Sequence, residues 1–336
     1  MPPGAPAGAG GCALTGQLLA FSALAMFSVN ALVVGEAARR IDYNWGFFIA
    51  LLVNTGVAAT IVAVQAAVGG APVDWQPGPV ALFLLAGVFA TYLGRLLFYV
   101  TVVGMGPSRA SAFQITQPVF ASILAFAFLA QRLRLVEVAL VAVVLGGLFL
   151  VNRSRAAIAP EGQPLAVADA AGPPEAGRGG TVTVRRVRDA AIRQRLLLVA
   201  LGSGLAYATA NVMRSGAINR WNEPFVGSLL GALAGVACYL TFHIRVREVP
   251  ARLKVTERRG LVMFAVSGTL TILAQTATIA SLRYLPVAIA NIFAVSLPIL
   301  VVPLSFLVLR NREGITGLTV VGVAVTWGGV LGLLVF

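Results

Sequence analysis

Residues 28–39 read SVNALVVGEAAR, and residues 209–220 read TANVMRSGAINR. Asn30, Gly35 and Arg39 of the first stretch recur as Asn211, Gly216 and Arg220 of the second, each shifted by 181 residues. Gly87 maps onto Gly268 with the same shift. Pro118 maps onto Pro298 one residue earlier, and Gly146-Gly147 onto Gly328-Gly329 one residue later. Chance matches do not stay in order and near one offset over a whole chain, so the chain contains an internal repeat.

The repeated unit is a set of apolar runs. Of the 336 residues, 58% are hydrophobic and only 11% charged, and the mean hydropathy is +0.89. A soluble domain carries about 25% charged residues, so too little polar surface exists here to coat one. Runs of roughly 20 apolar residues match the length a helix needs to cross the hydrocarbon core. Ten such spans are expected, at 13–34, 45–67, 80–103, 108–129, 133–151, 196–215, 225–243, 261–282, 287–309 and 315–336. The fold class is therefore all-α integral membrane, multi-pass. A soluble enzyme, a nucleic-acid-binding domain and a secreted disulfide scaffold are excluded by the same composition.

Residues 152–195 differ. Rich in Pro, Gly and Ala and without apolar periodicity, they read as a flexible linker that turns basic at Arg185, Arg186, Arg188, Arg193 and Arg195. They divide the chain into a tail (1–12), a first repeat of five spans (13–151), the linker, and a second repeat (196–336). Five is odd, so the second repeat must sit upside down relative to the first. Inverted repeats are typical of secondary transporters, which hold substrate near the bilayer midplane between the halves.

The motifs carry a resemblance. Glu313, Gly322 and Gly329 have the spacing seen in the EamA-type members of the drug/metabolite transporter superfamily. The first half offers Gln131, Leu140 and Gly147 at the corresponding places, and Phe27-Ser28-Val29-Asn30 resembles the family's Trp-Gly-Ser-Asn entry in the first helix. The resemblance implies a ten-helix transporter of small solutes, with spans 5 and 10 at the periphery and both termini in the cytoplasm. Gln131 and Leu140 depart from the family pattern. Small multidrug exporters in the superfamily use a membrane-embedded glutamate to exchange protons for cationic drugs. No Asp or Glu lies mid-span here, which disfavours that mechanism.

Charge gives the opposite orientation. The formal net charge is +13, and Lys254 is the only lysine among 25 basic side chains. Most of these lie in the loops after spans 1, 3, 5, 7 and 9, whereas the other side carries Arg132, Arg134, Arg214, Arg220 and Arg283. The positive-inside rule then puts the linker in the cytoplasm and both termini outside. The bias toward Arg, Ala and Gly reads as GC-rich coding, hence a bacterial inner membrane.

Polar side chains are costly in a bilayer, so polar stripes should line a cavity or a helix contact. Span 3 presents Tyr92, Arg95 and Tyr99 beside Thr91. Span 6 presents Ser203, Tyr207, Asn211 and Arg214, and span 8 presents Ser267, Thr271, Gln275 and Thr278. Span 4 offers Ser111, Gln114 and Gln117, and span 9 offers Asn291. Candidate substrate-binding residues are Asn30, Tyr92, Arg95, Gln114, Tyr207, Asn211, Thr271, Gln275 and Asn291. Small hydroxyl residues in such stripes also commonly bond their own i−4 carbonyls. Arg95 stands out, because an arginine there costs at least ~2.5 kcal/mol on insertion scales. It is expected to face the cavity, near Tyr92, Gln275 or span 4, and to meet an anionic or zwitterionic substrate. Capping of exposed carbonyls, or an ion pair with a span-end glutamate, is the other reading.

The remaining features are quieter. Pro118 and Pro298 should kink spans 4 and 9. Gly227, Gly231 and Gly235 form a small-residue ridge suited to intramolecular packing or to a homodimer. His243 reads as an interfacial residue. Cys12 and Cys238 lack metal or redox spacing, and no cofactor or metal is implied. A membrane-embedded enzyme would need a nucleophile–base pair or metal cluster that these spans do not offer. Within transport, the alternatives are an exporter of neutral amino acids or drugs, or a nucleotide-sugar-like exchanger. Outside it, a receptor or scaffold would not need the repeat.

Overall fold

The computed structural model describes residues 9–69, 74–105, 113–131, 134–158, 182–242, 249, 252–253, 256–297, 300 and 317–335. Among these the architecture is all-helical, with no strand. The helices are α1 (Ala9–Ala37), α2 (Tyr43–Gly69), α3 (Pro77–Gly87), α4 (Arg95–Met105), α5 (Gln117–Leu129) and α6 (Leu135–Ile158). There follow α7 (Val182–Ile218), α8 (Pro224–Phe242), α9 (Arg258–Ser281), α10 (Val287–Val295) and α11 (Gly317–Val335). A π-helical segment, Val88–Gly94, joins α3 to α4.

Among the described residues six helices are long and apolar enough to cross a membrane: Leu14–Ala37, Asn44–Gly69, Pro77–Phe98, Gln194–Ile218, Pro224–Phe242 and Arg258–Ser281. Shorter apolar helices cover Gln117–Leu129, Leu135–Val151 and Val320–Gly332. Large side chains such as Phe126, Phe128, Phe149, Leu198 and Val262 point outward. Such a surface suits hydrocarbon, and with these spans the chain is a multi-pass membrane protein.

Two boundaries depart from the sequence reading. α6 continues to Ile158 and α7 begins at Val182, so both ends of the stretch read as flexible linker are helical. The apolar runs stop at Val151 and resume at Leu196, but Ala, Arg and Gln are strong helix formers and carry the helices beyond those points. Residues 159–181 lie outside the described ones. Pro118 sits in the first turn of α5, directly after a turn at Ile115–Thr116, so span 4 is broken there rather than gently bent. Pro298 falls outside the described residues, as do Ser111 and His243.

With no hydrophobic force between helices in lipid, close backbone approach has to hold them together. α1 packs along α9, and α7 packs along α3, α4 and the π segment. α2 packs on α9, as α3 does on α8. α5 packs on α7, and α10 on α1. α2 with α8, α5 with α10, and α6 with α11 complete the set. Each pair maps onto itself or onto another pair when the two halves trade places.

Single residues obey the same exchange. A methyl group on Gly46 would lie 2.2 Å from the Phe264 ring, and one on Gly227 would lie 2.5 Å from the Phe83 ring. Gly87 faces the backbone of Gly231, and Gly268 faces the backbone of Ala50. Gly147 faces Thr326, and Gly329 faces Val144. The first two sets are related by a shift of 181 and the third by 182. The ridge Gly227–Gly231–Gly235 is therefore filled by Phe83, Gly87 and Thr91 of the same chain, and is not open to a homodimer.

Candidate functional site

The spacing of Ser203, Tyr207, Asn211 and Arg214 puts all four on one face of α7. Between them lie Ala206, Ala208 and Ala210, all buried, which let neighbouring helices come close. Ser203 Oγ donates to the carbonyl of Gly94 at 2.9 Å and accepts from Gln114 Nε2 at 3.1 Å. Gln117 Nε2 donates in turn to Gln114 Oε1. The Tyr207 ring rests against Gly94. Further along, Asn211 Nδ2 donates to Asn291 Oδ1 of α10, and Arg214 Nη1 donates to Asn211 Oδ1 at 3.1 Å. A polar seam thus runs between α7, the π segment, the start of α5 and α10. Asn211, Arg214 and Asn291 are 8%, 7% and 1% exposed.

The π segment changes the reading of span 3. Tyr92, Arg95 and Tyr99 share one face only on an unbroken α-helix. Each π turn holds one extra residue and rotates the rest of the helix by about 100°. Tyr92 packs against Phe242 of α8, with ring centroids 5.5 Å apart. The Arg95 guanidinium stacks 3.8 Å from the centroid of Phe47 on α2. Phe47 in turn meets Tyr239 edge-on at 5.3 Å. Arg95 is half-buried, and its partner is an aromatic ring that the sequence reading does not single out. The ion pairs among the described residues join Arg39 and Arg40 to Glu36, and Arg40 to Glu257. These hydrogen bonds, to Glu257 first and then Glu36, raise the Arg40 pKa above its ordinary value.

On α9, Thr271 and Gln275 are half-buried, and Gln275 Nε2 lies by Gly231 of α8. Thr278 Oγ1 bonds its own i−4 carbonyl, Ala274, at 2.9 Å. Thr276, off the expected stripe, donates to Ser228 Oγ of α8 at 2.8 Å. Asn30 is half-buried on α1, and its Oδ1 has no hydrogen-bond partner among the described residues. Of the nine candidates, Gln114, Tyr207, Asn211 and Asn291 meet in the seam. Tyr92 packs instead on Phe242 and Arg95 on Phe47, and no hydrogen bond ties Asn30, Thr271 or Gln275 to the seam among the described residues. Arg214 belongs to the seam, although by sequence it counts among the loop-side charges, because it lies only four residues from the end of α7. Its place on the stripe is the signal for it. No group of three or more His, Cys, Asp or Glu able to hold a metal occurs among the described residues.

The family model that matches is the EamA-like transporter family, over residues 14–153. No curated protein matches the chain. Among 28 matching chains of solved structures, one crystal structure superposes with a TM-score of 0.66 at 17% identity, covering 95% of this chain and 96% of that one. At that identity the likeness is one of fold. The all-helical membrane architecture agrees with that match: residues 14–153 are similar to the EamA-like transporter family, a family of membrane transporters of small solutes.

Proposed function

We propose that the chain is a secondary transporter or exchanger of a small polar metabolite, built as two inverted five-helix repeats and working by alternating access. The observation that carries this is an exchange of contacts that fails at one end. Phe47 and Arg95 are the counterparts, shifted by 181, of Ser228 and Thr276. Ser228 and Thr276 are both buried and hydrogen-bonded, and α8 and α9 pack along each other there. Between α2 and the α3–π–α4 span no such packing occurs among the described residues, and the long Arg95 side chain bridges to Phe47 instead. Likewise α7 packs on α9, whereas their counterparts, α1 and span 3, do not pack extensively. A chain of two equivalent halves, closed at one end and looser at the other, is what one state of an alternating-access cycle requires. The seam of Ser203, Gln114, Tyr207, Asn211 and Asn291 then lies along the route. Substrate would be held near the midplane, and rocking of the halves would close the Arg95 end while opening the Thr276 end.

A thermal-shift screen of purified protein against amino acids, organic acids, phosphorylated sugars and cationic drugs, followed by counterflow of the hits into proteoliposomes, tests it. A polar metabolite should both stabilise the protein and exchange across the vesicle. Stabilisers that none of the vesicles exchange would make the chain a receptor or scaffold instead.

A further inference from the structure

Arg214 sits one turn from the end of a membrane-spanning helix, yet only 7% of its surface is exposed. No carboxylate pairs with it among the described residues. Its hydrogen-bond partner is a neutral amide oxygen, Asn211 Oδ1 at 3.1 Å. A buried cation with only a neutral acceptor is an expensive arrangement. The charge dictates the orientation of its neighbours. A guanidinium only donates, so Asn211 must turn its oxygen toward Arg214 and its amide nitrogen toward Asn291. Asn291 must then offer its oxygen to Asn211. Asn291 Nδ2 is left over: it is buried and has no acceptor among the described residues. The two ends of this relay, on α7 and α10, are therefore both donors, one of them charged.

We infer that Arg214 and Asn291 form the recognition point for the anionic group of the transported solute, a carboxylate or a phosphate. This deepens the transport reading and rests on it. An acceptor-only group would give Asn291 Nδ2 its missing acceptor and the Arg214 charge a counter-ion, and an oxyanion can take a guanidinium in bidentate fashion. A neutral amide could satisfy Asn291 but would leave the Arg214 charge without a counter-ion. Arg95 is not equivalent, since Phe47 already covers one face of its guanidinium.

Thermal stability in detergent, without and with ligand, tests the inference. L-lactate is compared with lactamide, benzoate with benzamide, and inorganic phosphate with sodium chloride at equal ionic strength. Wild-type protein should be stabilised by at least one anion and not by its neutral counterpart. Arg214→Met should abolish that shift, and Arg214→Lys should keep part of it. Without ligand, Arg214→Met should melt about 2–4 °C higher than wild type, because a buried charge with no counter-ion has been replaced by an apolar chain. A lower melting temperature for unliganded Arg214→Met would make the arginine structural and overturn the inference. So would equal stabilisation by carboxylates and their amides. A shift produced only by phosphatidylglycerol nanodiscs, and not by phosphatidylcholine nanodiscs with soluble anions, would assign the donors to lipid and overturn it too. Uptake into proteoliposomes separates the two readings. Anion-dependent stabilisation without uptake sinks transport and leaves the anion site, whereas uptake of a neutral solute unaffected by Arg214→Met does the reverse.

Discussion

At the scale of single residues, the contrast between Gly146 and Gly147 shows what holds these helices together. A methyl group on Gly146 would meet nothing within 4 Å, while one on Gly147 would lie 2.3 Å from Thr326 Oγ1 and 2.7 Å from the Thr326 backbone nitrogen. Backbone cannot yield as a flexible side chain does, so overpacking there costs ~1–3 kcal/mol. Gly147→Val should lower the melting temperature by several degrees, and Gly146→Val should leave it within a degree, as a melting curve of each variant would show. The Gly146-Gly147 and Gly328-Gly329 pairs are legible in the sequence as repeat marks. The partners Gly46 with Phe264 and Gly227 with Phe83 are not, although all four residues obey the same shift of 181. A glycine facing a phenylalanine on another helix leaves no local periodicity to read. Only a search for pairs of matches sharing one offset would find them.

At the scale of elements, the end of α5 shows how a departure from the family pattern is accommodated. α5 ends at Ala130 in the left-handed conformation, with φ of 51°, and the backbone N–H groups of Ala130 and Gln131 both return to the Ala125 carbonyl. Glycine is the residue that this position favours, so Ala130→Gly should stabilise by about 0.5–1 kcal/mol. Next to it, Gln131 Oε1 accepts from the backbone N–H of Val287, the first residue of α10, at 3.1 Å. Gln131→Leu removes that acceptor at a cost of ~1 kcal/mol. Gln131→Glu keeps it and adds a negative charge at a helix N-terminus, a gain of ~0.3–1 kcal/mol. Melting temperatures should therefore rank Glu above Gln above Leu at neutral pH, and Leu melting at or above Gln would refute the capping role. The polar stripe of α7 can be read from spacing because that helix is regular. The stripe of span 3 misleads because nothing in its composition distinguishes seven π-helical residues from two α-turns, and the extra residue per turn re-aims Arg95 toward Phe47.

At the scale of the whole molecule, the arginine asymmetry and the family resemblance give opposite orientations. The arginine bias belongs to this chain, and the positive-inside rule predicts from it a cytoplasmic linker. In a Cys12→Ser, Cys238→Ser background, a cysteine at position 172 should resist a membrane-impermeant thiol reagent in intact cells; rapid labelling would establish the reverse orientation. The central claim is that the two halves are inverted equivalents whose ends open in turn, and Asn30 with Asn211 supplies the most direct probe of it. In the proposed cycle half-buried Asn30 belongs to the looser end and Asn211, 8% exposed, to the closed one. Cysteine pairs at 228 and 276, or at 47 and 95, can be bridged by a short bifunctional thiol reagent to hold either end shut. A third cysteine at 30 or 211, unmasked after bridging, then reports access from each face of sealed proteoliposomes. With 228 and 276 bridged, position 30 should react from one face only and position 211 from neither. With 47 and 95 bridged, position 211 should react from the opposite face and position 30 from neither. Labelling of both positions from the same face, or labelling indifferent to which end is bridged, would contradict the account.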